Sequence, residues 1–157
     1  MRAFFSFAVL LLAACGAATE APAQTHTLEV RQAWATPTPG GVDVSGGYLV
    51  IDNNTSSADR LVSASSSRAA RVEIHEMSMD GGVMRMRRID GGLAAPANTE
   101  VALAPGGLHL MFMGVTQPFQ IGEQIPLQLT FEHAGRIDVT LTVQRGPPTA
   151  EHQHHDH

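Results

Sequence analysis

The stretch Ile137-Asp138-Val139-Thr140-Leu141-Thr142-Val143-Gln144 alternates apolar and polar residues without a break. Successive side chains of an extended strand point to opposite faces, so this segment has one buried face and one wet face. Outward from it, the chain from His26 onward consists of short runs rich in Val, Ile, Leu and Thr. Gly, Pro, Asn and Asp clusters split these runs every ~8–12 residues, the pattern of an all-β sandwich or barrel. Strands are predicted near residues 27–35, 46–53, 59–65, 70–79, 83–89, 99–104, 108–115, 125–133 and 136–145, with no convincing helical stripe between them. The expectation is a single-domain, mainly antiparallel β-sandwich. Asp80-Gly81-Gly82 and Ala134-Gly135 are hairpin candidates, because glycine accepts the positive φ of tight turns.

Composition agrees with one domain: 157 residues, 43% hydrophobic and 16% charged, are enough for a core and too apolar for long-range disorder. Aromatics supply only 5%, so Val, Leu, Ile and Met must fill the interior. Fifteen acids outnumber ten bases, all of them Arg, for a formal charge of -5. No basic face is available for nucleic acid. The single cysteine excludes an intramolecular disulfide.

Met1 and Arg2 precede the apolar run Ala3 to Ala14, which reads as a secretory signal too short to span a bilayer. Leu12-Ala13-Ala14-Cys15-Gly16 is similar to the lipobox of bacterial lipoproteins, in which the cysteine receives a lipid. Ala21-Pro22-Ala23 offers an alternative small-x-small cleavage before Gln24. Either exit places the protein in the periplasm, with any membrane attachment made only through lipid on Cys15. The chain thus divides into a signal segment and tether (1–23), a β domain (26–146) and a flexible His-rich tail (147–157), with Gly146-Pro147-Pro148 stopping the last strand.

Of seven methionines, all but Met1 lie between Met77 and Met113, a span with His75 at its edge and His109 inside it. Isolated methionines usually fill gaps in cores, but strand periodicity argues otherwise here. In Leu108-His109-Leu110-Met111-Phe112-Met113, the leucines and Phe112 share the core face. His109, Met111 and Met113 take the other, where core packing does not require them.

The preceding hairpin admits two registers. With an Asp80-Gly81 turn, His75 lies opposite Met86, and Met77 opposite Met84; with a Gly81-Gly82 turn, Met77 lies opposite Met86. Opposed Cβ atoms are about 4.5–5.5 Å apart, within reach of a shared metal ion. Two imidazoles and two thioethers form a soft, uncharged donor set that selects Cu(I) over zinc, magnesium or calcium. Methionine suits an exported site because a thioether cannot oxidise to a disulfide.

At these residues the sequence resembles the PCu(A)C family of periplasmic copper chaperones, from about Ala33-Trp34 to Val143. The resemblance is carried by Gly47-Tyr48-Leu49-Val50-Ile51-Asp52-Asn53, Val72-Glu73-Ile74-His75-Glu76-Met77 and Pro105-Gly106-Gly107-Leu108-His109-Leu110-Met111. The family's copper motif is a His, ten residues, a Met, about twenty-one residues, then His-x-Met. Here ten residues separate His75 from Met86 and twenty-two separate Met86 from His109, before His109-Leu110-Met111 closes the pattern. The extra residue leaves Met84 as the alternative to Met86. The resemblance implies a cupredoxin-like β-sandwich binding Cu(I) through His75, Met86, His109 and Met111. It also implies delivery to the dinuclear copper centre of the cytochrome c oxidase copper subunit, alone or with a thioredoxin-like copper chaperone. A copper buffer or resistance protein without a dedicated recipient would have the same ligands.

The tail adds His152, His154, His155 and His157, with Glu151 and Asp156 as oxygen donors. Imidazoles on a flexible chain suit Cu(II), so a second site for the oxidised ion is expected there. His26 and His133 read as ordinary surface residues. A blue-copper centre is excluded because it needs a cysteine thiolate, and the only cysteine is Cys15. No carboxylate pair or Ser-His-Asp order suggests an enzyme.

Overall fold

The computed structural model describes residues 27–148, and every regular element among them is a strand. There are ten: β1 (Leu28–Ala35), β2 (Val44–Asn53), β3 (Asp59–Ser65), β4 (Ala69–Asp80), β5 (Val83–Arg88), β6 (Leu93–Ala95), β7 (Thr99–Leu103), β8 (Leu108–Val115), β9 (Gln124–Phe131) and β10 (Gly135–Val143). The fold is all-β, as the alternating segments predict. Along β10, Ile137, Val139, Leu141 and Val143 turn inward while Arg136, Asp138 and Thr140 are exposed. The short β6 has no signal in the sequence, because three residues are too few to show a period.

Neighbouring strands run in the order β4, β8, β2, β1, β10, β9, β3, and β3 returns to β4 through Ala64 opposite Val72. The two layers of the expected sandwich are therefore joined into one barrel-like sheet. Pairing is antiparallel except between β1 and β10, where Trp34 lies opposite Thr142. β7 and β8 follow one another along the same edge of β2. β5 extends β4 as an outer hairpin and β6 extends β3.

Leu49, Ile51, Leu61, Leu110, Phe112, Ile125, Leu129, Phe131, Leu141 and Val143 form the buried centre, joined by Phe119 from the loop after β8. Phe112 and Phe119 meet edge to face at 5.5 Å, a geometry that suits the ring quadrupoles. One buried polar side chain, Asn53, is fully paired. Its amide donates to the Ser57 and Ala95 carbonyls, and its oxygen accepts from the Thr55 N–H and hydroxyl. That pairing offsets the cost of burying an amide and ties β6 to the end of β2.

The hairpin register is decided by the turn. Asp80 pairs with Val83, so Gly81 and Gly82 are the two turn residues, with φ of 57° and 82°. Two consecutive positive φ values define the turn whose twist matches that of the flanking strands, and two glycines adopt it without steric cost. Met77 consequently faces Met86, Met79 faces Met84, and His75 faces Arg88. The alternative Asp80-Gly81 turn, which would have paired His75 with Met86, is not formed.

Candidate metal centre

The outward face of β2, β8, β4 and β5 is built by the period of two. On β8 it carries His109 and Met111; β4 pairs with β8 so that His75 lies opposite His109, and Glu73 opposite Met111. Gly46 of β2 lies opposite Met111, which puts Tyr48 beside His109. The next rung outward is Met77 with Met86.

A cleft of about 290 Å³ opens on this face, with Tyr48, Met77, Met86, His109 and Met111 in its lining. Gly46 forms part of its wall, and a Cβ there would stand 2.7 Å from the Tyr48 hydroxyl oxygen. Met86 is half exposed at 48%, so the cleft is open to exchange on the hairpin side. Met84 does not line it. His109, by contrast, is only 5% exposed: it faces away from the core, but the rings of Tyr48 and His75 flank it. Sequence periodicity could place its face but not this burial.

The two histidines are held by complementary anchors. His109 Nδ1 lies 3.0 Å from the Gly107 carbonyl, which can only accept, so Nδ1 carries the proton and Nε2 the lone pair. The same carbonyl accepts the Met77 N–H, linking the His109 anchor to the methionine hairpin. His75 Nε2 donates to the Glu73 carboxylate at 2.9 Å, leaving the lone pair on Nδ1. That Nδ1 is buried without a hydrogen-bond partner. The rings meet edge to face with centroids 5.7 Å apart.

Glu73 is further held by Arg71 at 2.9 Å and Arg88 at 3.5 Å. The hydrogen bond from His75, then those from Arg71 and the charge of Arg88, keep its carboxyl below the usual range. Tyr48 is pushed up by burial and stays a neutral phenol. Its ring lies 4.5 Å from that of Trp34.

An imidazole that gives one N–H to a carboxylate or carbonyl and keeps a lone pair on the other nitrogen is prepared to bind a metal. Both histidines meet that description, and the thioethers of Met77, Met86 and Met111 line the cleft beside them. Among the described residues no three His, Cys, Asp or Glu side chains converge as a site of their own. The donor chemistry therefore fits a soft ion better than zinc, calcium or magnesium.

Of the residues predicted from sequence, His75, His109, Met86 and Met111 come together on this face, and Met77 joins them as the partner of Met86. Cross-strand arithmetic offers Met77 opposite Met86 as one of two registers, and the structure adopts it; the roles of Glu73 and Gly107 as anchors have no sequence signal. His133 is exposed and away from the site. Cys15, His26, His152, His154, His155 and His157 lie outside the described residues.

Residues 28–143 match the family model described as "Putative lipoprotein LpqE-like". A relative from Leifsonia xyli, named "Putative lipoprotein Lxx21020", is 30% identical over 87% of this chain and 86% of its own. Among solved structures, the Cu(I) form of DR1885 from Deinococcus radiodurans is similar at 25% identity and a TM-score of 0.61. That match covers 78% of this chain and 83% of the other. The fold is also that of the copper-bound PCuAC domain from PmoF2, at 22% identity and a TM-score of 0.65 over 75% of this chain and 92% of that domain.

Proposed function

Since the chain belongs to the LpqE-like family, which is the PCu(A)C family, we propose that it is an exported copper chaperone whose cargo, Cu(I), is held by His75, His109, Met86 and Met111. The observation that carries this reading is the pair of opposed imidazoles, each anchored through one nitrogen, with the buried Nδ1 of His75 lacking any partner beside a methionine-lined cleft. A buried lone pair without a donor is costly unless something binds it. Met77 stands next to the set as a fifth soft donor.

The arrangement suits holding and passing an ion. The imidazoles need no rearrangement to present their lone pairs, and the methionine side is open, so a recipient's ligands can approach while the histidine side stays covered. Neutral donors also let the ion leave without taking up protons at the thioethers. We assign the dinuclear copper centre of cytochrome c oxidase as the recipient, with a thioredoxin-like copper chaperone as an accessory. The histidine tail serves as a second site, for Cu(II). The LpqE-like lipoprotein names and the lipobox at Cys15 support export with a lipid anchor.

The test is an anaerobic Cu(I) titration against a competing chelator, on the full chain with His152, His154, His155 and His157 replaced by Ala, and on the same chain carrying His109→Ala. Tight one-to-one binding abolished by His109→Ala is expected; equal binding by both would overturn the ligand assignment. Transfer to a soluble oxidase copper domain should outrun exchange through solvent. Transfer no faster than free exchange would leave a copper buffer.

A further inference from the structure

The hairpin β4–β5 carries a second pair of thioethers that the site above does not use. Met79 and Met84 lie directly opposite one another, one rung beyond Met77 and Met86 and next to the glycine turn. Residues two apart along a strand share a face, so the four methionines form a ladder that runs from the turn to the histidine pair. Both outer side chains are among the most exposed apolar groups of the described chain, at 68% and 60%. Neither contributes to the core, so packing does not account for methionine here.

The electrostatics around the ladder admit a cation. The arginines of β5 are each paired with a carboxylate: Arg85 with Asp80, Arg87 with Glu76, and Arg88 with Glu73 and Asp90. No uncompensated positive charge of β5 stands beside the thioethers. Directly opposed Cβ atoms on a hairpin are about 4.5–5.5 Å apart, and methionine is long and flexible enough for two sulfurs to converge on one soft ion. Two thioethers make an incomplete set, weaker than two imidazoles with two thioethers, which leaves room for a donor or acceptor molecule to contribute ligands.

We propose that Met79 and Met84 form an outer Cu(I) site, through which the ion enters and leaves the histidine–methionine centre. The proposal rests on the copper reading above for its purpose. The existence of the outer site can be tested separately. Cu(I) arrives at the exposed rung, moves one rung inward to Met77 and Met86, and is captured by the imidazoles; release follows the reverse order. No bond other than metal–ligand bonds is made or broken, and the oxidation state is unchanged.

The test is an anaerobic Cu(I) titration of the full chain bearing the four tail His→Ala changes, with ¹³C-labelled methionine methyl groups observed by NMR. After the inner site fills, the Met79 and Met84 methyl signals should shift together and saturate at one further equivalent. In His109→Ala they should still shift, which separates the outer site from the inner one. Met79 and Met84 signals that do not move in either protein would overturn the proposal, whatever the inner site does. A shift of Met84 that survives unchanged in Met79→Leu would overturn it too, because the pair would then not be required. For the exchange role, the double variant Met79→Leu/Met84→Leu keeps the apolar surface and removes the sulfurs. The affinity of its inner site for the first Cu(I) should stay within about twofold and the further equivalent should be lost, while the rates of loading and of removal by a chelator fall at least fivefold. Unaltered rates would refute the entry path.

Discussion

His75 and His109 face one another across β4 and β8 with ring centroids 5.7 Å apart, and each uses a different nitrogen for its anchor. His75 is tied at Nε2 to Glu73, and His109 at Nδ1 to the Gly107 carbonyl. The opposite tautomers follow from the acceptors and not from the rings themselves.

Glu73 is therefore a positioning residue for His75. Loss of such an anchoring group typically weakens metal affinity about 10–100-fold, and Glu73→Gln should do so with little change in fold. Long-range ¹H–¹⁵N spectra of the metal-free protein should show His75 protonated on Nε2 and His109 on Nδ1. In Glu73→Gln only His75 should become a tautomer mixture; wild-type His75 protonated on Nδ1 would contradict the assignment.

The two proposed ligand types should differ in their cost to the fold. His109 is buried, so His109→Ala leaves a void and removes one of the two hydrogen bonds to the Gly107 carbonyl, and about 1–3 kcal/mol of stability should be lost. Met86 is half exposed on the outer hairpin, and Met86→Ala should change stability by no more than about 0.5 kcal/mol. Both should weaken Cu(I) binding. Urea unfolding of the metal-free variants checks the contrast, and equal midpoints for the two would show that the cover over His109 contributes nothing.

The turn should control the site from a distance. Gly82 has a φ of 82°, which a β-branched side chain strongly disfavours, so Gly82→Val should loosen the hairpin and displace Met86. Gly81→Asn should be tolerated, because asparagine accepts positive φ in this type of turn. Amide-exchange protection across β4 and β5 and Cu(I) affinity should fall together in the first variant and hold in the second. Retained affinity with lost exchange protection would uncouple the turn from the centre.

Acid sensitivity should come in part from Glu123, far from the centre. The hydrogen bond from Arg68, then that from the Gln120 N–H, hold its carboxyl below the usual range. A lowered folded value means that its stabilisation is complete above the ordinary glutamate pKa of about 4.3 and is lost as the pH falls through the folded value. Glu123→Gln should be less stable than wild type at pH 7, with the difference shrinking towards pH 3. Urea midpoints at the two pH values measure it, and a constant difference would exclude the linkage.

Local periodicity determined the strand character of nine of the ten segments, the inward Leu110 and Phe112, and the outward placement of His109 and Met111. Those properties depend only on a side chain's position along its own strand. The resemblance to a family whose motif has His–x10–Met and His–x–Met pointed to the proposed donor set. Tertiary structure decided what neighbouring strands contribute. It selected the Gly81-Gly82 turn, paired Met77 with Met86, and brought Glu73 and the Gly107 carbonyl to the imidazoles. It also joined β3 to β4 so that two layers became one barrel-like sheet. Register and tautomer are relations between strands, set by turn geometry and by the acceptor each ring meets, and a one-strand pattern carries neither.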